Sequence, residues 1–217
     1  MISPGNQVWI VGDSWGCGEW FYDGTNYGVI HTGLEHYLRE YGCEVTNLSE
    51  GGSENQRIVD ILQGRANMPK PDYIFWFQTD PIRDVRPFDQ ETFPKDVNSL
   101  KKLGETLMNK TYKQLNDLDV PIHCMGGVSK LHDSIKNYPN LIPLIPSIVE
   151  MFGGVDVGFW ISDWIQCDHL NFSDSFLTEL ENHPQNTLPK QWFFPDGNHP
   201  NREAHRRIFE YILNQHK

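Results

Sequence analysis

A chain of 217 residues, 38% of them apolar and with no Gly/Ser-rich or Pro-rich linker, is long enough to bury one α/β core and gives no sign of a second. Eighteen basic against twenty-nine acidic residues leave a formal charge of -11, so no basic stripe awaits phosphates; nucleic acid and anionic membrane surfaces are excluded as expected partners, and a neutral small molecule is easier to accommodate. No stretch approaches the roughly 18 apolar residues of a spanning helix. Residues 1–7 lack a positive segment followed by an apolar one, and Cys17, Cys43, Cys124 and Cys167 are scattered without metal-ligand spacing, so the expectation is a cytoplasmic protein with reduced thiols and no membrane insertion.

Val8-Trp9-Ile10-Val11 is a short apolar run that predicts a buried first strand, with Ser14 of Gly12-Asp13-Ser14-Trp15-Gly16 emerging at its carboxyl end. A Gly-rich, aromatic segment spans 15–27, after which Gly28-Val29-Ile30, Leu34, Tyr37 and Leu38 are spaced as the stripe of a first crossover helix. Residues 44–48 predict the second strand, and 49–53 a turn into a helix carrying Ile58, Ile61 and Leu62. The continuous apolar run Tyr73-Ile74-Phe75-Trp76-Phe77 predicts a central parallel strand covered on both faces. Val97, Leu100, Leu103, Leu107, Leu115 and Leu118 then form a helical stripe, followed by a fourth strand over 120–125.

From 130 to 192 the pattern is irregular, with Pro139, Pro143, Pro146, Pro184 and Pro189 among aromatics, and 155–160 is the candidate fifth strand. Pro200-Asn201 opens a terminal helix in which Ala204, Ile208 and Ile212 recur every four residues. Alternating strands and helices select a right-handed, doubly wound α/β fold: a three-layer α/β/α sandwich with a central, mostly parallel five-stranded sheet. The whole of 1–217 reads as one domain, with the irregular segment at about 130–192.

The chemistry sits at the two ends. A serine hydroxyl is a poor nucleophile near neutral pH and needs a base to take its proton and donors to hold the oxyanion that forms. Asp196-Gly197-Asn198-His199 places a carboxylate three positions before an imidazole, so His199 can serve as the base of Ser14 while Asp196 fixes the tautomer of the ring. Each residue also has a plainer reading: Asp13 and Ser14 as a helix cap, Asp196 as a turn residue and His199 as a helix start. Gly12-Asp13-Ser14-Trp15-Gly16 fits the G-x-S-x-G nucleophile elbow too, but that elbow takes its acid and base from separate loops, whereas Asp196 and His199 share one. His123, His132, His169 and His183 lack the partners of a metal site, and no metal or other cofactor is expected.

In order and content these motifs resemble the SGNH hydrolases, the GDSL-type esterases and lipases. Gly12-Asp13-Ser14 with Gly18 is similar to the family's first block, Asn47 with Gly52 (Gly51 as the alternative) to its second, and Asp196-Gly197-Asn198-His199-Pro200 to its last. The third block departs: the family has Gly-x-Asn-Asp where this chain has Phe77-Gln78-Thr79-Asp80. The resemblance implies a flavodoxin-like SGNH fold and a serine esterase hydrolysing a carboxylic ester, such as a short-acyl or O-acetyl carbohydrate ester, through an acyl-serine intermediate. Ser14 would be the nucleophile, His199 the base and Asp196 its orienter.

The oxyanion hole implied is the backbone N–H of Ser14 and of Gly52 together with Thr79 in place of the usual asparagine, with Gln78 as a substitute. Losing one such donor costs on the order of 10² to 10³ in rate. A catalytically weak binding or assembly module on the same fold, or an acyltransferase using the same triad, are the alternatives. Trp15, Gln78, Trp192 and Phe193 are the candidate substrate-pocket residues, the last two because they lead directly into Asp196. Trp160 is read as packing, and Asp80 with Arg83 as a structural ion pair. The expected partner is a small-molecule or carbohydrate ester, and the sequence sets no oligomeric state.

Overall fold

The computed structural model describes residues 2–85, 94, 96–158 and 173–215. Its strands are β1 (Gln7–Gly12), β2 (Glu19–Tyr22), β3 (Tyr27–His31), β4 (Glu44–Asn47), β5 (Tyr73–Gln78), β6 (Ile122–Gly126) and β7 (Leu141–Ile145). Five of them form one sheet in the order β4-β1-β5-β6-β7, parallel throughout, while β2 and β3 pair separately as an antiparallel hairpin. The helices among the described residues are α1 (Ser14–Cys17), α2 (Leu34–Glu40), α3 (Asn55–Gly64), α4 (Val97–Asn116), α5 (Ile148–Met151), α6 (Asp174–Glu181) and α7 (Arg202–Gln215).

Alternation along the strands divides the core into two layers. Val8, Ile10, Phe75, Phe77 and Met125 face one side and pack with Leu34 and Leu38 of α2 and with Ala204, Ile208 and Ile212 of α7. Val11, Ile74, Trp76, Ile122 and Cys124 face the other and pack with Ile58, Ile61 and Leu62 of α3 and Met108, Tyr112 and Leu115 of α4. β5, in the middle of the sheet, is buried on both faces, which is why its sequence is continuously apolar rather than alternating. The three-layer α/β/α architecture with a five-stranded parallel sheet is the one the sequence predicts.

Two placements differ from the sequence reading. The fifth strand is Leu141–Ile145, not 155–160: Val155 makes a single bridge to Thr187, and 159–160 lie outside the described residues. Pro143 disguises β7 in the sequence, and it is tolerated because β7 is an edge strand, where a missing N–H need not break a ladder. Gly28-Val29-Ile30 belong to β3 rather than to the first crossover helix, α2, which starts only at Leu34. The Asp23 carboxylate accepts from the N–H of Thr25 (2.9 Å) and Asn26 (2.7 Å) and turns the chain back on itself, so Val29 and Ile30 end up exposed instead of forming a helical stripe. Trp160, Cys167 and His169 lie outside the described residues.

Candidate active site

The site forms at the carboxyl edge of the sheet, where β1 and β5 end side by side with Gly12 opposite Phe77. Gly12 has φ +155°, and a Cβ there would come within 2.7 Å of the Phe77 Cβ, so only glycine lets the chain leave β1 at this point. Asp13 then caps α1, its Oδ1 accepting from the Trp15 N–H at 2.9 Å. Its buried Oδ2 accepts from the Thr79 hydroxyl at 2.7 Å and from the Arg83 guanidinium at 2.9 Å, which ties the Ser14 turn to the segment after β5. The loop after β4 packs against the same turn. Glu50 N–H donates to Gly12 O, the Asn47 amide donates to Gly16 O, and a Cβ on Gly16 would sit 2.2 Å from Ser49 Oγ.

His199 comes from the far end of the chain, in the loop that leads into α7. Its Nε2 lies 2.8 Å from Ser14 Oγ, and its Nδ1 is in a short contact with Asp196 Oδ2. The other carboxylate oxygen, Oδ1, accepts from the N–H of Asn198 (2.9 Å) and of His199 itself (3.0 Å), so the D-x-x-H spacing closes a turn that holds acid and imidazole in register. Burial pushes the Asp196 carboxyl up, but the hydrogen bond from the His199 ring and those from the two N–H groups outweigh it and hold the group below its usual range. His199 is 8% exposed, and at the foot of the site His205 is fully buried, where loss of solvation pushes its imidazole down to about 3. His205 is therefore neutral at physiological pH and adds no charge to the site.

The other candidates divide. Gly52 occupies the third position of the Glu50–Ser53 turn with φ +74°, a conformation that suits glycine, and neither its N–H nor that of Ser14 has a hydrogen-bond partner among the described residues. Thr79 does not have a donor to spare, contrary to expectation. Its N–H goes to Asn55 Oδ1 at 3.1 Å and its hydroxyl to Asp13 Oδ2, so this residue braces the turn under Ser14 instead of facing an oxyanion. Gln78 is committed too, its amide donating to Lys130 O (3.0 Å) and its carbonyl accepting from Tyr112 Oη (2.7 Å).

Trp15 and Phe193, expected beside the substrate, lie in the core. Both are buried in the core layer beneath α7, ring centroids 5.4 Å apart, because Trp15 sits on the inward face of the short α1 and Phe193 is pulled under the loop that carries Asp196. Trp192 is half-buried and stacks on Phe152 at 4.7 Å. A cleft of about 450 Å³ opens at the carboxyl ends of β5, β6 and β7, lined by Gln78, Pro81, Met108, Ser129, Leu131 and Gly158 among others; none of Ser14, Asp196 and His199 lines it.

Sequence reasoning missed the hairpin. Trp20 donates from Nε1 to Ser14 O at 2.7 Å and stacks on Tyr27 at 4.9 Å, and the Tyr27 Oη lies 3.2 Å from Asp196 Oδ2 and 3.1 Å from His199 Nδ1. The available signal was the density of aromatics around Gly24 and Asn26 immediately after the Gly-Asp-Ser motif. Among the described residues no helix is long and apolar enough to cross a membrane.

No protein-family model matches this chain, and no curated protein does. Solved structures do. A G-D-S-L family protein from Desulfitobacterium hafniense DCB-2 superposes with a TM-score of 0.50 at 13% identity, covering 96% of this chain and 98% of that one. A catalytic mutant of an acetylxylan esterase from Geobacillus stearothermophilus gives 0.46 at 15% identity (98% and 94% covered), and a psychrotrophic esterase from Pseudoalteromonas sp. gives 0.42 at 14% (96% and 95% covered). Likeness at this level of identity speaks for architecture, and the chain shares the α/β fold of the G-D-S-L family protein from Desulfitobacterium.

Proposed function

We propose that this chain is a serine ester hydrolase of the SGNH type, a single domain acting on small neutral esters through an acyl-serine intermediate. The observation that carries the reading is the pairing of Ser14 Oγ with His199 Nε2 at 2.8 Å, across 185 positions of sequence, with the other ring nitrogen, Nδ1, on Asp196. Ser14 Oγ attacks the ester carbonyl as its proton passes to Nε2, and the imidazolium formed is stabilised by Asp196. The oxyanion meets the unpartnered N–H groups of Ser14 and Gly52. His199 then returns the proton to the departing alkoxide, and water, deprotonated by the same nitrogen, releases the acid and restores Ser14.

A short acyl group, such as the acetyl of an O-acetylated carbohydrate, fits a nucleophile that is 8% exposed and has Trp20 hydrogen-bonded to its own carbonyl. The formal charge of -11 favours a neutral ester over an anionic one.

One observation favours a second reading, a binding module with weak or no turnover: both donors of Thr79 are spent, which leaves the oxyanion without the family's third, side-chain donor. Reaction with a fluorophosphonate probe separates the two. The hydrolase reading expects Ser14 to be labelled in the wild type and not in His199→Ala, and Ser14→Ala to lose hydrolysis of p-nitrophenyl acetate while keeping its fold. A folded wild type that takes up no label supports the binding module.

A further inference from the structure

The β2–β3 hairpin has no place in the parallel sheet, yet it delivers two side chains to the site. Trp20 is tied to the backbone of the nucleophile through Nε1, and Tyr27 lies against Trp20 at 4.9 Å with 29° between the rings, so the position of the phenol is referred directly to Ser14. Its Oη reaches Asp196 Oδ2 at 3.2 Å, the same oxygen that meets the His199 ring, while Oδ1 is filled by two backbone N–H groups. We propose that Tyr27 is a positioning residue of this site, donating its phenolic hydrogen to Asp196 Oδ2 and thereby fixing both the rotation of the carboxylate and the tautomer of His199. The inference rests on the reading of Ser14, His199 and Asp196 as a hydrolytic triad.

The direction of donation follows from proton bookkeeping. Tyr27 Oη is also 3.1 Å from Nδ1, but donation to that nitrogen requires it to be bare, which puts the imidazole hydrogen on Nε2, pointing at Ser14 Oγ; such a ring cannot accept the serine proton. With both the Nδ1 hydrogen and the phenolic hydrogen directed at Oδ2, Nε2 is left bare toward Ser14. Burial and the neighbouring Asp196 charge push the Tyr27 hydroxyl well above the ordinary phenol range, so it remains a donor at any pH the protein meets.

A donor on Oδ2 also withdraws charge from the oxygen that steadies the imidazolium. The other polar and titratable groups around the ring are Ser14 from α1, His205 from α7 and, beside Tyr27, Arg83 from the turn after β5; the Glu19–Arg202 ion pair (2.7 Å) joins the start of β2 to α7. All are unchanged when the phenol alone is removed.

The test is the pH profile of kcat/KM for p-nitrophenyl acetate in the wild type and in Tyr27→Phe, with the His199 imidazole titration followed by NMR in both proteins. Tyr27 is 53% exposed and Phe keeps the stacking on Trp20, so the variant is expected to fold. Without the phenol Asp196 presents a fuller charge to His199: the acid limb and the imidazole titration should both move to higher pH, and the plateau kcat should fall several-fold with KM little changed. A limb and a titration that coincide with the wild type, or that move to lower pH, overturn the proposal. If fluorophosphonate fails to label wild-type Ser14, the triad reading falls by itself, and the NMR titration of the two proteins still decides whether Tyr27 acts on the Asp196–His199 pair.

Discussion

At the scale of single residues, Thr79 shows how one substitution in a motif can be absorbed. An asparagine amide could reach an oxyanion, but a threonine hydroxyl is one bond closer to the backbone, and here it is drawn to the buried Asp13 carboxylate at 2.7 Å, beside Arg83. Hydrogen bonds to charged groups contribute about 1.5 to 3 kcal/mol, and Asp13 holds the turn that carries Ser14. Thr79→Val should therefore lower unfolding stability in urea by about that amount while leaving kcat for p-nitrophenyl acetate within a few-fold of wild type. A loss of 10² to 10³ in kcat at unchanged stability would instead make Thr79 an oxyanion donor. Ser14, Asp196 and His199 were legible as candidates because Gly-Asp-Ser after an apolar strand and Asp-x-x-His before an amphipathic helix are local spacings. The burial of Trp15 and Phe193 was not legible, because distance along the chain from Ser14 or Asp196 says nothing about which face of the backbone a ring leaves from.

At the scale of elements, the 3₁₀ turn Pro81–Val85 and helix α3 are joined by Asp84, whose carboxylate accepts from the Gln56 N–H (2.9 Å) and the Asn55 amide (3.1 Å). Burial dominates and pushes this carboxyl up to about 6 from 3.8, the hydrogen bonds offsetting only part of the cost. A group whose folded pKa is raised binds its proton more tightly when folded, so stability is greatest below pH 3.8 as far as Asp84 is concerned. That contribution is lost as pH rises through about 6. Asp196, held below its usual range, acts in the opposite sense: its contribution is present above the ordinary carboxylate range and is lost as pH falls through its lower folded value. Between pH 7 and pH 5 the Asp84 effect adds about 1 kcal/mol on acidification, and it is opposed by His205, whose buried imidazole stays neutral with a folded value of about 3 while its unfolded counterpart takes up a proton; the Asp84 contribution is therefore read as the difference in thermal unfolding between wild type and Asp84→Asn at the two pH values. Acidification from pH 7 to pH 5 should lower the stability of Asp84→Asn more than that of the wild type. The rhythm of strands and helices was readable from periodicity, whereas the hairpin was not: Gly28-Val29-Ile30 fit a helical stripe by spacing, and only the closing of the Asp23 turn made them a strand.

At the scale of the whole molecule, the two ends of the chain meet because α7 packs onto the face of the sheet that β1 and β5 present. Ile208 is fully buried between them, and His199 enters the site from the loop just before this helix. Ile208→Ala should cost about 2 to 5 kcal/mol by urea denaturation; because the helix docks as a unit, the folded fraction should retain the Ser14–His199 contact and its reactivity toward fluorophosphonate. Labelling lost in a fully folded variant would show that the position of His199 is set by more than its own loop.

The amino-acid sequence by itself determined the layers, the parallel sheet and the candidate chemistry. Burial on both faces leaves a continuous apolar run in β5, amphipathic helices repeat every three to four residues, and an Asp-x-x-His loop before such a helix is a local pattern. Only the tertiary structure decided which strand closes the sheet, where the Thr79 hydroxyl points and that Tyr27 stands over Asp196. The last two depend on contacts between positions 66 and 169 residues apart, and no periodicity or motif spacing encodes the relative placement of segments that far removed along the chain.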